Sequence, residues 1–198
     1  NLLQALPNRP EDLQRLSFDL LVGPGVFSVD EPLELLRIGV REGFQKELLA
    51  DAMAMSLPTQ LILSPRCKDL RECHSFTIDD IGTNDRDDAL SVDLQVPEVL
   101  EPGSSYHIGV HITNAGALIP QGSTLDIEAF SRMSSLYMPE RKIPMLPHEF
   151  SSRLGSLDPD KDRIALSLVI EINSSNEVSN WHVTESVVRS RAALTYEE

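Results

Sequence analysis

Residues 77–92 constrain the fold of this chain more than any other stretch, because five aspartates fall within ten positions of one another. The five are Asp79, Asp80, Asp85, Asp87 and Asp88. Carboxylates this close repel one another and raise each other's pKa values. A chain therefore keeps such a cluster on a solvated loop or around a bound cation, and the charge pattern alone leaves both interpretations open.

The residues on either side of the cluster predict two strands joined by a loop. Residues 76–78 form a short apolar run, and residues 89–94 alternate as expected for a half-buried strand. Strands at both ends would fix the loop, and the loop would present the carboxylates, with Arg86 among them.

The net charge of −14 is concentrated around this loop. Residues 75–103 contain one basic and eight acidic residues, a net charge of −7, which is half of the total. This concentration fits a metal site, where bound cations offset carboxylates. It argues against a nucleic-acid binder of the usual basic kind, so any contact with nucleic acid would need a basic surface elsewhere.

The first 74 residues predict a mainly helical lead-in segment. A short helix is expected over residues 11–20. After Asp30, apolar residues recur at helical spacing over residues 33–55 until Pro58 ends the pattern. Gly39 and Gly43 weaken this second helix, so a break into two helices is the alternative. A short strand is expected over residues 61–63.

Residues 75–198 predict more strand than helix. Further strands are expected over residues 106–112, 163–172 and 181–190, with an extended piece at 136–138, a loop at 116–122 and a turn at 174–176. Helices are expected from Ser123 or Thr124 to about Met133, and over residues 148–154. Because strands and helices do not alternate regularly, the expected class is α+β, a mixed, largely antiparallel sheet with packed helices, preceded by the helical N-terminal segment.

The loop carboxylates favour one class of chemistry. Carboxylate oxygens are hard ligands that suit Mg²⁺ or Mn²⁺, and two such ions can clamp a phosphodiester during attack by water. The chain has no P-loop, EF-hand or Gly-x-Ser-x-Gly motif, and Cys67 and Cys73 lack the paired spacing of a zinc site. His107 and His111 would share one strand face, where cross-strand surface partners are commoner than metal ligands. Hydrolysis by metal-held water is the chemistry that remains.

Several stretches together resemble one enzyme family. Residues 77–79 and 85–91 are similar to the catalytic opening of the ribonuclease II / ribonuclease R family, the RNB exoribonucleases. Residues 106–112, 122–126, 137–147 and 156–167 agree with the family in order and spacing, including Ile143-Pro144-Met145-Leu146-Pro147. The resemblance implies that residues 75–198 are the N-terminal portion of an RNB-like catalytic domain and that residues 1–74 lead into it.

The resemblance also implies an activity, the processive 3′→5′ hydrolysis of single-stranded RNA to nucleoside 5′-monophosphates with Mg²⁺. By position, Asp79 and Asp88 would be metal ligands, and Asp87 would be the carboxylate most critical for the chemistry. Asp85 would support the site near the 3′-terminal nucleotide. Tyr137 would pack against the last nucleotides, as aromatic faces stack on bases or sugars, with a core tyrosine as the alternative.

Some features depart from the family or leave alternatives. Asn114 stands where the family often has an acidic residue, and Gly155 stands where cysteine is common. The family's domain continues past the equivalent of Glu198, so a C-terminal half or a second chain would complete the site. The alternatives are a catalytically silent RNB-like module for RNA binding or assembly, and a phosphoesterase unrelated to RNA. The expected location is the bacterial cytoplasm or an organelle, without membrane contact, because the apolar runs are too short to span a bilayer.

Overall fold

The structure, a computed structural model, describes residues 10–31, 33, 35, 39–59, 64–92, 101–139 and 141–197. The chain divides into two compact units, Asn1–Arg41 and Glu42–Glu198. In the first unit, α1 (Pro10–Val22) is the helix predicted over residues 11–20, and proline at its first position suits a helix start. The strand predicted at residues 61–63 lies outside the described residues.

The second predicted helix is interrupted. Residues 39–45 are not helical, and Gly39 has a φ of 70°, which an α-helix does not accommodate. Helix α2 begins only at Lys46 and ends at Ala54 (Lys46–Ala54). A continuous helix over residues 33–55 is therefore wrong, and the predicted break is confirmed.

Eight strands and three further helices follow in the described part of the second unit. The strands are β1 (Cys67–Asp69), β2 (Ser75–Asp79), β3 (Asp88–Val92), β4 (Ser105–Thr113), β5 (Leu136–Tyr137), β6 (Lys142–Ile143), β7 (Asp162–Asn173) and β8 (Val178–Thr195). The helices are α3 (Ala115–Leu118), α4 (Thr124–Arg132) and α5 (His148–Ser151). Helix α3 lies in the stretch predicted as loop, and it forms because Asn114 Oδ1 accepts a hydrogen bond from Ala117 N at 3.2 Å.

The main sheet has the strand order β1-β8-β2-β3-β4-β7, and β7 also pairs with β8. Strands β2, β3, β4, β7 and β8 thus form a closed ring of pairings. Most neighbours are antiparallel, whereas β1 and β2 run parallel to β8. The predicted mixed, largely antiparallel sheet is confirmed.

Two apolar clusters pack on opposite faces of this sheet, because consecutive strand residues point to opposite sides. Ile164 and Val187 contact helix residues; this cluster comprises Leu48, Ala52, Leu118, Leu125, Phe150, Leu154, Ile164 and Val187. The next residues along each strand, Ala165 and Val188, join Leu70, Ala89 and Leu157 in the other cluster. Ala89 directly follows the aspartate loop, and Leu157 donates a backbone hydrogen bond to Arg86 within the loop. This second cluster therefore fixes the base of the loop.

A buried polar row crosses the sheet at His111. Its Nδ1 lies 2.7 Å from Ser167 Oγ, its Nε2 lies 2.9 Å from Ser91 Oγ, and the residue is 1% exposed. Burial lowers the pKa of His111 to about 4, so the ring is neutral at pH 7. His111 was expected at the surface and is instead a buried cross-strand partner. Gly109 is required beside it, because a Cβ there would overlap Ser91 Oγ and lie 2.7 Å from His111 Nε2.

Candidate active site

The aspartate loop joins two neighbouring strands of the sheet. Strand β2 ends at Asp79, strand β3 begins at Asp88, and the two strands pair antiparallel. The predicted strand–loop–strand arrangement is confirmed. It places the four carboxylates with proposed roles at one end of the β2–β3 pair.

Arg86 anchors the loop through its backbone and its side chain. Its N–H donates to Ser156 Oγ at 3.1 Å, and its carbonyl accepts from Leu157 N at 2.8 Å. The guanidinium Nη1 donates to Asp158 Oδ1 at 3.2 Å, and Ser156 Oγ donates to the same oxygen at 2.8 Å. These contacts fix the loop to the segment that precedes β7.

Asp158 in turn is held by several donors. Lys161 Nζ donates to its Oδ2 at 3.0 Å, and a guanidinium nitrogen of Arg163 lies 3.7 Å from it. Arg163 is buried and donates to the carbonyls of Ser156 and Arg153 at 2.6 and 2.7 Å. A network of charged groups around Asp158 therefore supports the loop from the segment that precedes β7.

Asp87 lies at the electrostatic centre of the loop. Its residue is exposed, yet protein atoms around the carboxyl group raise its pKa through desolvation. The charges of Asp85, Asp88 and Asp79 raise it further, whereas Lys142 lowers it. The structure thus brings these four aspartates into one electrostatic environment. Asp80 is not among the groups that shift the pKa of Asp87.

The Asp79 carboxylate has an unsatisfied oxygen. Its side chain is 16% exposed, and Arg86 Nε lies 3.8 Å from its Oδ2, beyond hydrogen-bonding distance. Both atoms are buried and have no hydrogen-bond partner among the described residues. A buried carboxylate oxygen at a strand end that accepts no hydrogen bond fits a position that accepts a cation.

Asp85 has a cationic partner from another part of the chain. Lys142 Nζ forms a short hydrogen-bonded ion pair with Asp85 Oδ2 and lies 5.1 Å from the centroid of the Tyr137 ring. Burial alone would lower the pKa of Lys142, but hydrogen bonds to Asp85 and Tyr137 outweigh burial and raise it. Tyr137 faces Lys142 in the β5–β6 pair. Tyr137 is 75% exposed, so the core-tyrosine alternative is wrong.

The site has the donor atoms that a divalent cation prefers, but these atoms are not already arranged as a set of ligands. Asp79, Asp85, Asp87 and Asp88 supply hard oxygen donors, and Asp79 Oδ2 accepts no hydrogen bond in the described part of the chain. Within the same residues, no three Asp, Glu, His or Cys side chains lie close enough together to hold a metal ion. The carboxylates therefore have the donor chemistry for Mg²⁺ or Mn²⁺ without forming a three-ligand cluster.

A cavity of about 210 Å³ opens beside the loop. Its lining comprises Gly82, Thr83, Asn84, Asp85, Lys142, Pro144, His148 and Ser151. One wall is thus the loop itself, and the facing wall carries a lysine and a histidine. The cavity lies between Asp85 and residues 137–147, the proline-rich segment, which contributes Lys142 and Pro144 to the lining.

Sequence reasoning missed two functional contributions. Arg86 was noted only as one cation among the aspartates, and Lys142 only as part of the proline-rich segment. The sequence did contain a signal, because each residue has a partner of opposite charge. These partners and Lys142 itself lie in stretches that resembled the family, but Asp158 and Lys142 received no role. Their partners are 72 and 57 residues away in the sequence, which local patterns do not reveal.

A comparison with protein families assigns most of the chain. The model of the RNB domain matches residues 67–198. The chain belongs to the RNB family. The predicted resemblance is confirmed, whereas the predicted division at residue 74 stays a prediction.

Relatives of this RNB chain are longer proteins. Ribonuclease R of Chlamydia pneumoniae is 36% identical over 159 residues, which cover 79% of this chain and 22% of that protein. DIS3-like exonuclease 2 of Arabidopsis thaliana is 37% identical over 132 residues, covering 67% of this chain and 12% of that protein. The RNB chain thus spans about a fifth or less of the length of these curated relatives.

Solved structures share the fold of this RNB chain. Mycoplasma genitalium RNase R in complex with ribose-methylated single-stranded RNA has a TM-score of 0.72 and 22% identity, over 82% of this chain and 24% of that one. Yeast Ssd1, described as a pseudonuclease, has a TM-score of 0.62 and 24% identity, over 72% of this chain and 17% of that one.

None of the helices in the described ranges has the length and apolarity needed to cross a bilayer.

Proposed function

We propose that this chain supplies the aspartate-bearing part of a 3′→5′ exoribonuclease that hydrolyses single-stranded RNA to nucleoside 5′-monophosphates. The observation that carries the proposal is the placement of four aspartates on the loop between the paired strands β2 and β3, with a buried oxygen of Asp79 that accepts no hydrogen bond from the described residues. Membership of the RNB family supports the same reaction class, as do relatives named ribonuclease R. The RNA complex of the Mycoplasma relative supports single-stranded RNA as the substrate.

The positions of the carboxylates support the roles proposed for them. Asp79 has a buried oxygen without a hydrogen bond in the described part of the chain and Asp88 is exposed at the start of β3, which supports both as ligands for Mg²⁺. When bound, Mg²⁺ supplies charge stabilisation for the attacking and leaving oxygens of a phosphodiester. Asp87 lies among the charges of the other three, which supports it as the carboxylate most critical for hydrolysis. Asp85 supports the site at the 3′ end.

Tyr137 is the proposed platform for the terminal nucleotides. Its side chain is exposed, so an aromatic face is open to a base or sugar. Lys142 contacts both this ring and Asp85, which supports a platform beside the aspartate loop. Stacking tolerates every base, as a processive nuclease requires.

A catalytically silent RNB module is the second candidate. Two observations favour it: a protein cation occupies Asp85, and the described residues form no three-ligand metal cluster. Such a module would bind RNA or help to assemble a larger particle without cutting.

One experiment distinguishes the exoribonuclease from the silent RNB module. A 5′-labelled single-stranded RNA is incubated with the full chain and Mg²⁺, with its 3′ end either free or blocked by a phosphate, and products are resolved by length. The exoribonuclease shortens only the free RNA, in single-nucleotide steps, and stops when EDTA removes Mg²⁺. Binding without shortening supports the silent module. Equal cleavage of both substrates would instead indicate a phosphoesterase that ignores the RNA end.

A pair of variants tests the assigned loop carboxylate. Asp87→Asn is expected to abolish shortening while RNA binding survives. Asp80→Asn makes the same chemical change on an exposed aspartate of the same loop, and it is expected to retain shortening. Equal losses in both variants would contradict the separation of Asp87 from Asp80.

A further inference from the structure

Lys142 connects the two parts of the proposed site. It lies on β6, it pairs with Asp85 of the loop, and its Nζ is 5.1 Å from the centroid of the Tyr137 ring. Its side chain is 34% exposed, and it lines the 210 Å³ cavity together with His148. The Lys142 side chain is therefore accessible to a ligand that enters this cavity.

Other nearby cations are already engaged. Arg86 is held by Asp158 and faces Asp79. Arg141, the neighbour of Lys142, pairs with Glu42 at 2.7 Å. In the described part of the chain, Lys142 is the one basic residue outside the loop that forms an ion pair with a loop aspartate.

The donor count of Lys142 leaves room for a further partner. An ammonium group has three N–H donors, the hydrogen bond to Asp85 Oδ2 uses one of them, and the Tyr137 ring centroid lies 5.1 Å from the nitrogen. The cavity is smaller than the roughly 300–1,000 Å³ of pockets that hold drug-sized ligands, so it suits a single phosphate or sugar.

We propose that Lys142 binds a backbone phosphate of the RNA at its 3′ end, with Asp85 and Tyr137 holding the ammonium group in place. This inference rests on the proposed function, because it assumes that RNA enters between the aspartate loop and Tyr137. It assigns Lys142 as a substrate-positioning residue. The approaching RNA is negatively charged and meets a loop that is also negatively charged, so a cation at this point lowers the repulsion between them.

RNA affinity without turnover tests the assignment. The dissociation constant of a labelled single-stranded RNA is measured with EDTA present over a range of salt concentrations. Lys142→Gln is expected to weaken binding about fivefold to tenfold at ~0.1 M salt. The slope of log affinity against log salt should become shallower by about 0.7, the value for one lost phosphate contact on a single strand. Lys142→Arg keeps the charge and is expected to keep the slope.

Lys68→Gln is the matched control. Lys68 is an exposed lysine on β1, and it pairs with Ser186 of β8. Asp79 pairs with Thr195, which lies nine residues further along β8. At the rise of a β-strand this is a separation of up to about 30 Å. Its substitution removes the same charge and is expected to leave both affinity and slope unchanged. Equal effects of the two substitutions would overturn the proposal, because they would reflect net charge alone.

A double variant separates phosphate binding from simple neutralisation of Asp85. If Lys142 only neutralises Asp85, adding Asp85→Asn to Lys142→Gln restores binding, and the proposal fails. If Lys142 binds phosphate, the double variant keeps the shallow slope and the weaker binding of Lys142→Gln. Thermal unfolding of each variant confirms that it is folded. Wild-type protein that binds no RNA would overturn the proposed function and this inference together, whereas normal wild-type binding with an unaffected Lys142→Gln variant overturns only this inference.

Discussion

Asp158 offers the sharpest test of how the fold holds the aspartate loop. Its carboxylate accepts hydrogen bonds from Arg86, Ser156 and Lys161 and lies 3.7 Å from a nitrogen of Arg163. Its side chain is 15% exposed, so these contacts are only partly screened by water. Asp158→Asn keeps the shape of the side chain and removes its charge.

The expected loss follows from the contacts one by one. A hydrogen bond to a charged group contributes about 1 kcal/mol more than a neutral one, and this difference is lost at Arg86 and at Ser156. Lys161 is largely exposed, so its ion pair adds only about 0–1 kcal/mol. We therefore expect Asp158→Asn to lower the free energy of unfolding by about 2 kcal/mol.

Urea unfolding measures this loss without screening the ion pairs. With a denaturant dependence of about 1–3 kcal/mol/M, a loss of about 2 kcal/mol moves the urea midpoint down by roughly 1 M. Asp160→Asn is the matched control, because it removes a charge two residues away at an exposed position. Asp160 has a φ of 60°, which asparagine tolerates, so this variant should stay within about 0.5 kcal/mol of wild type.

The pH dependence gives an independent check. Burial alone would raise the pKa of Asp158, but hydrogen bonds to Lys161 and Ser156 and nearby positive charges outweigh it and lower the pKa. A lowered pKa contributes stability that is fully present above the unfolded-state value of about 3.9 and disappears as the pH falls through the folded-state value. The gap between wild type and Asp158→Asn should be constant from pH 7 to about pH 5 and close in more acidic solution. Equal midpoints for the Asp158 and Asp160 variants, or a gap that persists in acid, would refute the anchoring role.

Three further predictions concern the site and the sheet beneath it. Because the pKa of Asp87 is raised, its charged form destabilises the fold at neutral pH, so Asp87→Asn should raise the urea midpoint at pH 7 and lose this advantage below the usual aspartate pKa. Gly109→Ala should lower the midpoint, because its Cβ would overlap Ser91 Oγ, whereas Gly116→Ala at an open helical position should be neutral or stabilising. Tyr137→Ala should lengthen the final RNA product on a sequencing gel, and an unchanged product would exclude it as the stacking platform.

The strands of the main sheet were predictable where their signal was local. Apolar alternation marked β2, β3, β4, β7 and β8, and these strands form the closed ring of the sheet. Strand β1 was missed, because it has only three residues and pairs with residues 185–187 far along the chain. The extended piece predicted at residues 136–138 is β5, whereas its partner β6 has only two residues and was missed.

The site was predictable in its carboxylates and not in their partners. The spacing of Asp79, Asp85, Asp87 and Asp88 identified the loop, because all four lie in one short stretch. Lys142 and Asp158 reach the loop only after the chain has folded back on it. Sequence patterns therefore located the negative charges but not the positive charges that compensate them.

The distribution of those positive charges indicates where the loop is left uncompensated. Arg86 lies beside Asp79, and Lys142 pairs with Asp85. Asp87 and Asp88 have no ion-pair partner among the described residues, and the pKa of Asp87 is raised first by desolvation and then by the neighbouring negative charges. Compensating them through protein side chains would have stabilised the fold, since unpaired neighbouring carboxylates oppose it. The chain instead leaves this repulsion at the start of β3, which is the position where a bound cation would relieve it most.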